Sequence, residues 1–213
     1  MEKQKNRKFC IALGLLAAFV LWTAIISRVD VQAIGPQGST VGLAALNGFF
    51  HKLTGVYLSL YILTDWLSLV PLGVVLGFGV LGLVQWVKRK NLWKVDRSIL
   101  VLGGFYLVVM AVYAFFEVYA VNYRPVLIEG VLEVSYPSST TMLVMTVMPT
   151  AVLQLKSRIQ HPALRKSVVI AMIAFTAFMV VGRLLSGVHW VTDIIGGGLL
   201  SAGLVMMYDA LAT

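Results

Sequence analysis

Six apolar runs divide this chain, each close to the length that crosses a hydrocarbon core of roughly 30 Å as a helix. The first, Phe9–Ser27, contains no charge. The second runs from about Leu67 to Val87, the third from about Ser98 to Phe116 and the fourth from about Thr140 to Leu155. The fifth covers about Ser167 to Val181 and the sixth about Val191 to Tyr208. The fourth and fifth are short, so their helices are expected to extend past these bounds. Gly196-Gly197-Gly198 in the sixth suits close helix contact in lipid. Between the first two runs, Val41, Leu43, Leu46, Phe49, Phe50 and Leu53 recur at helical spacing. That pattern predicts an amphipathic helix lying in the membrane interface. The expected fold is all-α: an integral membrane bundle of six transmembrane helices with an outer interfacial amphipathic helix. It forms a single transmembrane domain over 1–213, in which 28–66 is an extracytoplasmic interfacial helix and loop.

Composition narrows the class. Of 213 residues, 59% are apolar and 12% charged, with a mean hydropathy of +0.89. A soluble domain carries about twice that charge, and a disordered chain carries far less apolar surface. One cysteine, Cys10, excludes a disulfide scaffold. The first run follows Glu2, Lys3, Lys5, Arg7 and Lys8 and so resembles a signal peptide. It is longer than the usual apolar region of one, and Asp30-Val31-Gln32-Ala33 is a poor cleavage site, which favours a retained anchor.

The formal charge of +8 is explained by topology. Lys3, Lys5, Arg7, Lys8, Lys88, Arg89, Lys90, Lys94, Arg97, Lys156, Arg158, Arg165 and Lys166 all fall on the side of the N-terminus. Arg28, Lys52, Arg124 and Arg183 are left for the other face. Basic residues mark the cytoplasmic side, so both termini are expected in the cytoplasm and nucleic acid is not needed as a partner. Three scattered histidines and one cysteine offer no metal-ligand cluster, and no cofactor is implied. Oligomeric state is not encoded in any pattern here.

The outer face keeps three polar segments: Asn122-Tyr123-Arg124-Pro125, Tyr136 to Thr141, and Gly182 to Asp193. His189 and Asp193 are spaced i, i+4, so on a helix they share a face. The carboxylate then holds one imidazole nitrogen and leaves the other as nucleophile or base. Arg183 stands six residues before His189, and the Ser186-Gly187 break allows the chain to fold the two together. Arg124 and Arg183 are planar, permanent cations suited to phosphate oxygens. Ser138, followed by Ser139 and Thr140, has the pattern of a helix N-cap, which leaves free N–H groups at a positive helix end. Two such ends and two arginines facing one point make an anion site. Taken singly, each element has a plainer account: an arginine reaching to headgroups, a polar-belt histidine, an ordinary cap. His161 and His51 carry no assigned role.

The three segments resemble the signature of the type-2 phosphatidic acid phosphatase superfamily, K-x6-R-P, P-S-G-H and S-R-x5-H-x3-D, over roughly Leu67 to Tyr208. The resemblance implies that His189 is a nucleophile forming a phosphohistidine and that Asp193 orients it. It also implies that Arg124, Arg183, Ser138, Ser139 and Thr140 surround the phosphate of a membrane lipid. Related enzymes remove phosphate from phosphatidate, phosphatidylglycerophosphate or undecaprenyl diphosphate at the outer face. Three positions depart from the pattern. Glu117 stands for the lysine of the first motif, Ser139-Thr140 for Gly-His in the second, and Gly182 for the serine of the third. The histidine lost at Thr140 is the family's proton donor to the leaving alkoxide, and a threonine hydroxyl is too weak an acid for that role.

Chemistry offers two routes round the loss. A diphosphate substrate expels a phosphate, which needs little protonation, so undecaprenyl diphosphate is favoured over monoesters. Alternatively Glu117 is the acid, its pKa raised at a membrane edge. The rival expectation is a degenerate member that binds lipid phosphate without hydrolysis. A transporter or structural protein lacks support from any inverted repeat or broken-helix pair. A haloperoxidase of the wider superfamily does not suit a six-span format.

Overall fold

Within a bilayer a chain satisfies its backbone polar groups internally, as helices or closed barrels. The computed structural model, which describes residues 2–212, meets that demand with helices: α1 (Glu2–Ile26), α2 (Ala44–Thr54), α3 (Leu58–Leu67), α4 (Leu69–Arg89), α5 (Arg97–Val118), α6 (Ser139–Arg158), α7 (Pro162–Leu185) and α8 (Val191–Ala212). Apart from Ser27 at the end of the first run and Ser68 in the second, the six expected runs are helical, and the fourth and fifth do extend beyond their apolar cores.

Among the described residues, five segments are long and apolar enough to cross a membrane: α1, α3 with α4, α5, α7 and α8. The sixth, α6, is 20 residues long but carries Thr140, Thr141, Thr146, Thr150 and Gln154. Ten of its residues are buried, whereas α4 buries only Pro71. A helix wrapped by other helices meets protein where its neighbours meet lipid, so its polar side chains find partners. Thr146 and Thr150 donate to carbonyls one turn back, and Tyr106 on α5 bonds Thr150 at 3.1 Å. The chain is thus an all-helical, multi-pass membrane protein with one polar helix at its centre.

The segment between the first two runs differs in detail from the sequence pattern. Leu43 takes a left-handed conformation (φ 49°) and Val41 pairs with Gln32, so α2 begins only at Ala44. The segment 58–67, expected as part of an interfacial loop, is instead α3, which continues through Ser68 into α4 as one apolar stretch of 32 residues. Asp65 puts a charge into this apolar stretch, and Arg183 of α7 meets it at 3.0 Å.

The N- and C-terminal helices run antiparallel and are pinned at one end by Lys8 and Asp209 at 2.9 Å. Phe19, Leu102, Phe105, Tyr136, Leu200 and Tyr208 from α1, α5, α8 and the 119–138 connection form the largest apolar core. At the opposite end lie α2 and the connections 119–138 and 186–190, and there the polar residues gather.

Candidate active site

Three backbone devices bring distant residues together. The first is a hairpin-like turn in the 119–138 connection, with bridges Tyr123–Val134 and Ile128–Val131 around Glu129 (φ 50°) and Gly130 (φ 80°). Two left-handed residues close a hairpin tightly, and the pairing sets Asn122 beside Ser135 and Arg124 beside Glu133. The second is the N-cap of α6, where the Ser138 side chain accepts from the Thr141 N–H at 3.5 Å. The Ser138 N–H in turn donates to the Asp193 carbonyl at 3.1 Å, tying the start of α6 to the start of α8. The third is Gly187, at φ 68°, where a Cβ would stand 1.9 Å from the Gly55 carbonyl oxygen. Only glycine turns the chain there, and the turn returns His189 towards Arg183.

His189 is the hub. Its Nε2 lies 3.4 Å from Arg124 Nη1, and its Nδ1 lies 3.0 Å from Ser135 Oγ. Asp193 Oδ2 is 3.8 Å from Nδ1 and accepts a hydrogen bond from Ser135 Oγ. The carboxylate also accepts from the Trp190 N–H at 2.9 Å and from Asn122 Nδ2 at 3.2 Å. Asp193 is fully buried and His189 is 4% exposed. Burial pushes the imidazole down to about 4, against the opposing pull of Asp193, so the ring is neutral at pH 7.

The two arginines flank one aromatic ring. The guanidinium carbons of Arg183 and Arg124 stand 4.8 and 5.7 Å from the centre of Tyr61 on α3, within cation–π range. Each also meets a carboxylate: Arg183 pairs with Asp65, and Arg124 with Glu133 at 2.9 Å. Arg183 Nη2 donates to Thr140 Oγ1, and the buried Arg183 Nε has no hydrogen-bond partner.

Two chambers open from this cluster. One, of about 370 Å³, is lined by Glu117, Arg124, Glu133, Ser135, Ser139 and His189. The other, of about 350 Å³, is lined by Asp65, Thr140 and Arg183 together with apolar Leu72, Val109 and Leu143. Tyr113, Arg124, Ser139 and Met142 border both. A polar chamber therefore abuts a mostly apolar one.

Of the residues singled out in the sequence, His189, Asp193, Arg124, Arg183, Ser139 and Thr140 touch one another or share these chambers. Ser138 stands just behind as the cap. Glu117 is exposed at the wall of the polar chamber, beside Tyr113. Sequence reasoning placed Asn122 in a polar segment without a role, and passed over Ser135, Glu133, Tyr61 and Asp65 as site residues. Ser135 lies one position outside the Tyr136–Thr141 segment, and Glu129-Gly130 was the available signal for the turn that delivers it. Nothing local marks Tyr61 or Asp65, which reach Arg183 from a helix over a hundred residues away in sequence. No group of three or more histidine, cysteine or acidic side chains suited to a metal occurs among the described residues.

A family model described as the PAP2 superfamily matches residues 104–210. No curated protein matches the chain. A solved structure, described as the first transmembrane PAP2-type phosphatidylglycerolphosphate phosphatase from Bacillus subtilis, aligns with a TM-score of 0.54 at 22% identity. The alignment covers 93% of this chain and 94% of that one.

Proposed function

The chain belongs to the PAP2 superfamily, and on that footing we propose that it is a membrane lipid phosphatase or phosphotransferase working through His189. The observation that carries the proposal is the neutral, buried imidazole with one nitrogen against Arg124 and the other backed by Ser135 and Asp193. In the first half-reaction His189 Nε2 attacks phosphorus. The new N–P bond forms as the P–O bond to the lipid breaks, and the leaving oxygen keeps the electron pair. Arg124 and Arg183 hold the phosphoryl oxygens, exchanging Glu133 and Asp65 for them, and stabilise the charge of the transition state. Water or another acceptor then attacks the phosphohistidine and frees the imidazole. The polar chamber suits the headgroup and the apolar one the first part of the chain attached to it.

The distribution of basic residues supports cytoplasmic termini and a site on the extracytoplasmic face. The core of the family-like unit is taken as about 67–208; of the segment 28–66, the part ahead of α3 is taken to lie on that outer face.

The leaving group decides the substrate class. With Thr140 hydrogen-bonded to Arg183, no imidazole stands ready to protonate an alkoxide, which favours a diphosphate such as undecaprenyl diphosphate. Glu117, on the wall of the polar chamber, is the alternative acid for monoesters. The test is phosphate release from phosphatidate, phosphatidylglycerophosphate and undecaprenyl diphosphate by the purified protein. We expect the diphosphate to be fastest and His189→Ala to abolish release. Equal rates on diphosphate and monoesters would sink the leaving-group argument, and an unchanged rate in Glu117→Gln would remove the carboxylate from it. A second reading draws on the same Thr140 and on the carboxylates already seated on both arginines: a member that binds lipid phosphate without cleaving it. Saturable binding of lipid phosphate with no release from any of the three lipids would establish that reading instead.

A further inference from the structure

Hydrogen-bond polarity in the cluster is fixed from one end. A guanidinium has donors only, so the 3.4 Å contact from Arg124 Nη1 makes His189 Nε2 the acceptor. A neutral imidazole with a bare Nε2 carries its proton on Nδ1. That Nδ1–H donates to Ser135 Oγ at 3.0 Å, and the Ser135 hydroxyl hydrogen goes on to Asp193 Oδ2. The direct separation between Nδ1 and Asp193 Oδ2 is 3.8 Å, too long for a hydrogen bond.

We infer that Ser135 is a positioning residue interposed between His189 and Asp193. It locks the imidazole in the Nδ1–H tautomer, with the Nε2 lone pair facing the phosphate site, and carries the charge of Asp193 to the ring. The inference rests on the reading of His189 as nucleophile. When Nε2 bonds to phosphorus, the ring becomes a cation that keeps its Nδ1 proton, and the Ser135 hydroxyl dipole aligned by Asp193 stabilises it.

Ser135 is held for this task from several sides. It is 2% exposed, and its N–H donates to the Asn122 carbonyl at 2.9 Å. The next residue, Tyr136, lies so close to Gly196 of α8 that a Cβ there would come within 2.5 Å of its ring. Tyr136 also bonds Thr23 of α1 at 2.7 Å. Two helices, α1 and α8, and the Asn122 arm of the connection thus converge on the backbone that carries one hydroxyl.

The experiment combines kinetics with the tautomer itself. In protein labelled with ¹⁵N-histidine, the His189 resonances are assigned by their loss in His189→Ala. At pH 7 the wild type is expected to show a protonated Nδ1 and a bare Nε2, and Ser135→Ala a mixture of tautomers. We expect kcat in Ser135→Ala to fall by about 10–100-fold with KM within about threefold, because the arginines still hold the phosphate. Ser135→Thr, whose extra methyl has the polar chamber to enter, is expected to recover most of kcat. A wild-type Nε2–H tautomer overturns the inference whether or not any variant folds. So does a Ser135→Ala kcat within twofold of wild type while His189→Ala is dead. Full activity in His189→Ala would instead overturn the phosphohistidine reading on which the inference rests.

Discussion

As the proposed nucleophile, His189 can act only while its ring is neutral, and burial extends that range towards acid. The charged ring is disfavoured in the interior, so the site stays deprotonated down to about pH 4. We therefore expect kcat/KM, which reports the free enzyme, to hold level from neutral pH to near pH 5 and to fall around pH 4. A limb centred on the ordinary histidine value of about 6.5 would contradict the burial argument. Thr140 makes a second residue-scale prediction. Its hydroxyl meets Arg183 and its side chain borders the 350 Å³ chamber, so an imidazole has room there. Thr140→His is expected to raise phosphatidate hydrolysis by about a hundredfold, the lower end for general acid catalysis, with little change on undecaprenyl diphosphate. No gain on the monoester would mean that the site lacks more than an acid. At this scale the sequence was informative where spacing was short: His189 and Asp193 lie one turn apart, and the Ser138 cap has its own pattern. It was silent on Asp65 and Tyr61, because their contacts with Arg183 depend on how α3 meets α7.

At the scale of elements, apolar run length located every long helix, since a lipid-facing helix needs little beyond greasy length. The pattern left 58–66 in the interfacial segment, and in the structure it is helix with Asp65 inside it. A charge within a helix is tolerated when another helix supplies its counter-ion, and a sequence read one segment at a time does not contain that pairing. The α7–α8 turn offers the sharpest test. Gly187→Ala forces a side chain into a left-handed backbone conformation, at about 1–2 kcal/mol, and drives its Cβ onto the Gly55 carbonyl. We expect a lower midpoint in thermal unfolding and loss of phosphate release. Gly103→Ala on α5, where a Cβ meets nothing within 4 Å, is expected to be neutral or to stabilise by up to about 1 kcal/mol. If both glycines tolerate alanine equally, the turn does not set the position of His189.

For the whole molecule the question is which way the bundle faces. The basic clusters at 3–8, 88–97 and 156–166 lie at the end opposite the site. In a Cys10→Ser background, Glu129→Cys is expected to react with a membrane-impermeant maleimide on intact cells, and Lys90→Cys only after permeabilisation. The reverse pattern would put the site on the cytoplasmic side. Lys/Arg asymmetry is what points to this orientation, and the apolar runs made the fold class legible before any coordinates. The arrangement of α6 at the centre was not legible, because burial among neighbours is a property of the assembly.

That central position has a consequence for biogenesis. A segment rich in threonine, with Gln154 and Pro149 along it, gains less than its neighbours from leaving the translocon for lipid on its own. Its stable insertion falls to the segments synthesised after it, above all α7 and α8, which cover it. A nascent chain that ends after Arg158 should leave this stretch slipping back into water, so the site-bearing end is secured only when the last hairpin arrives.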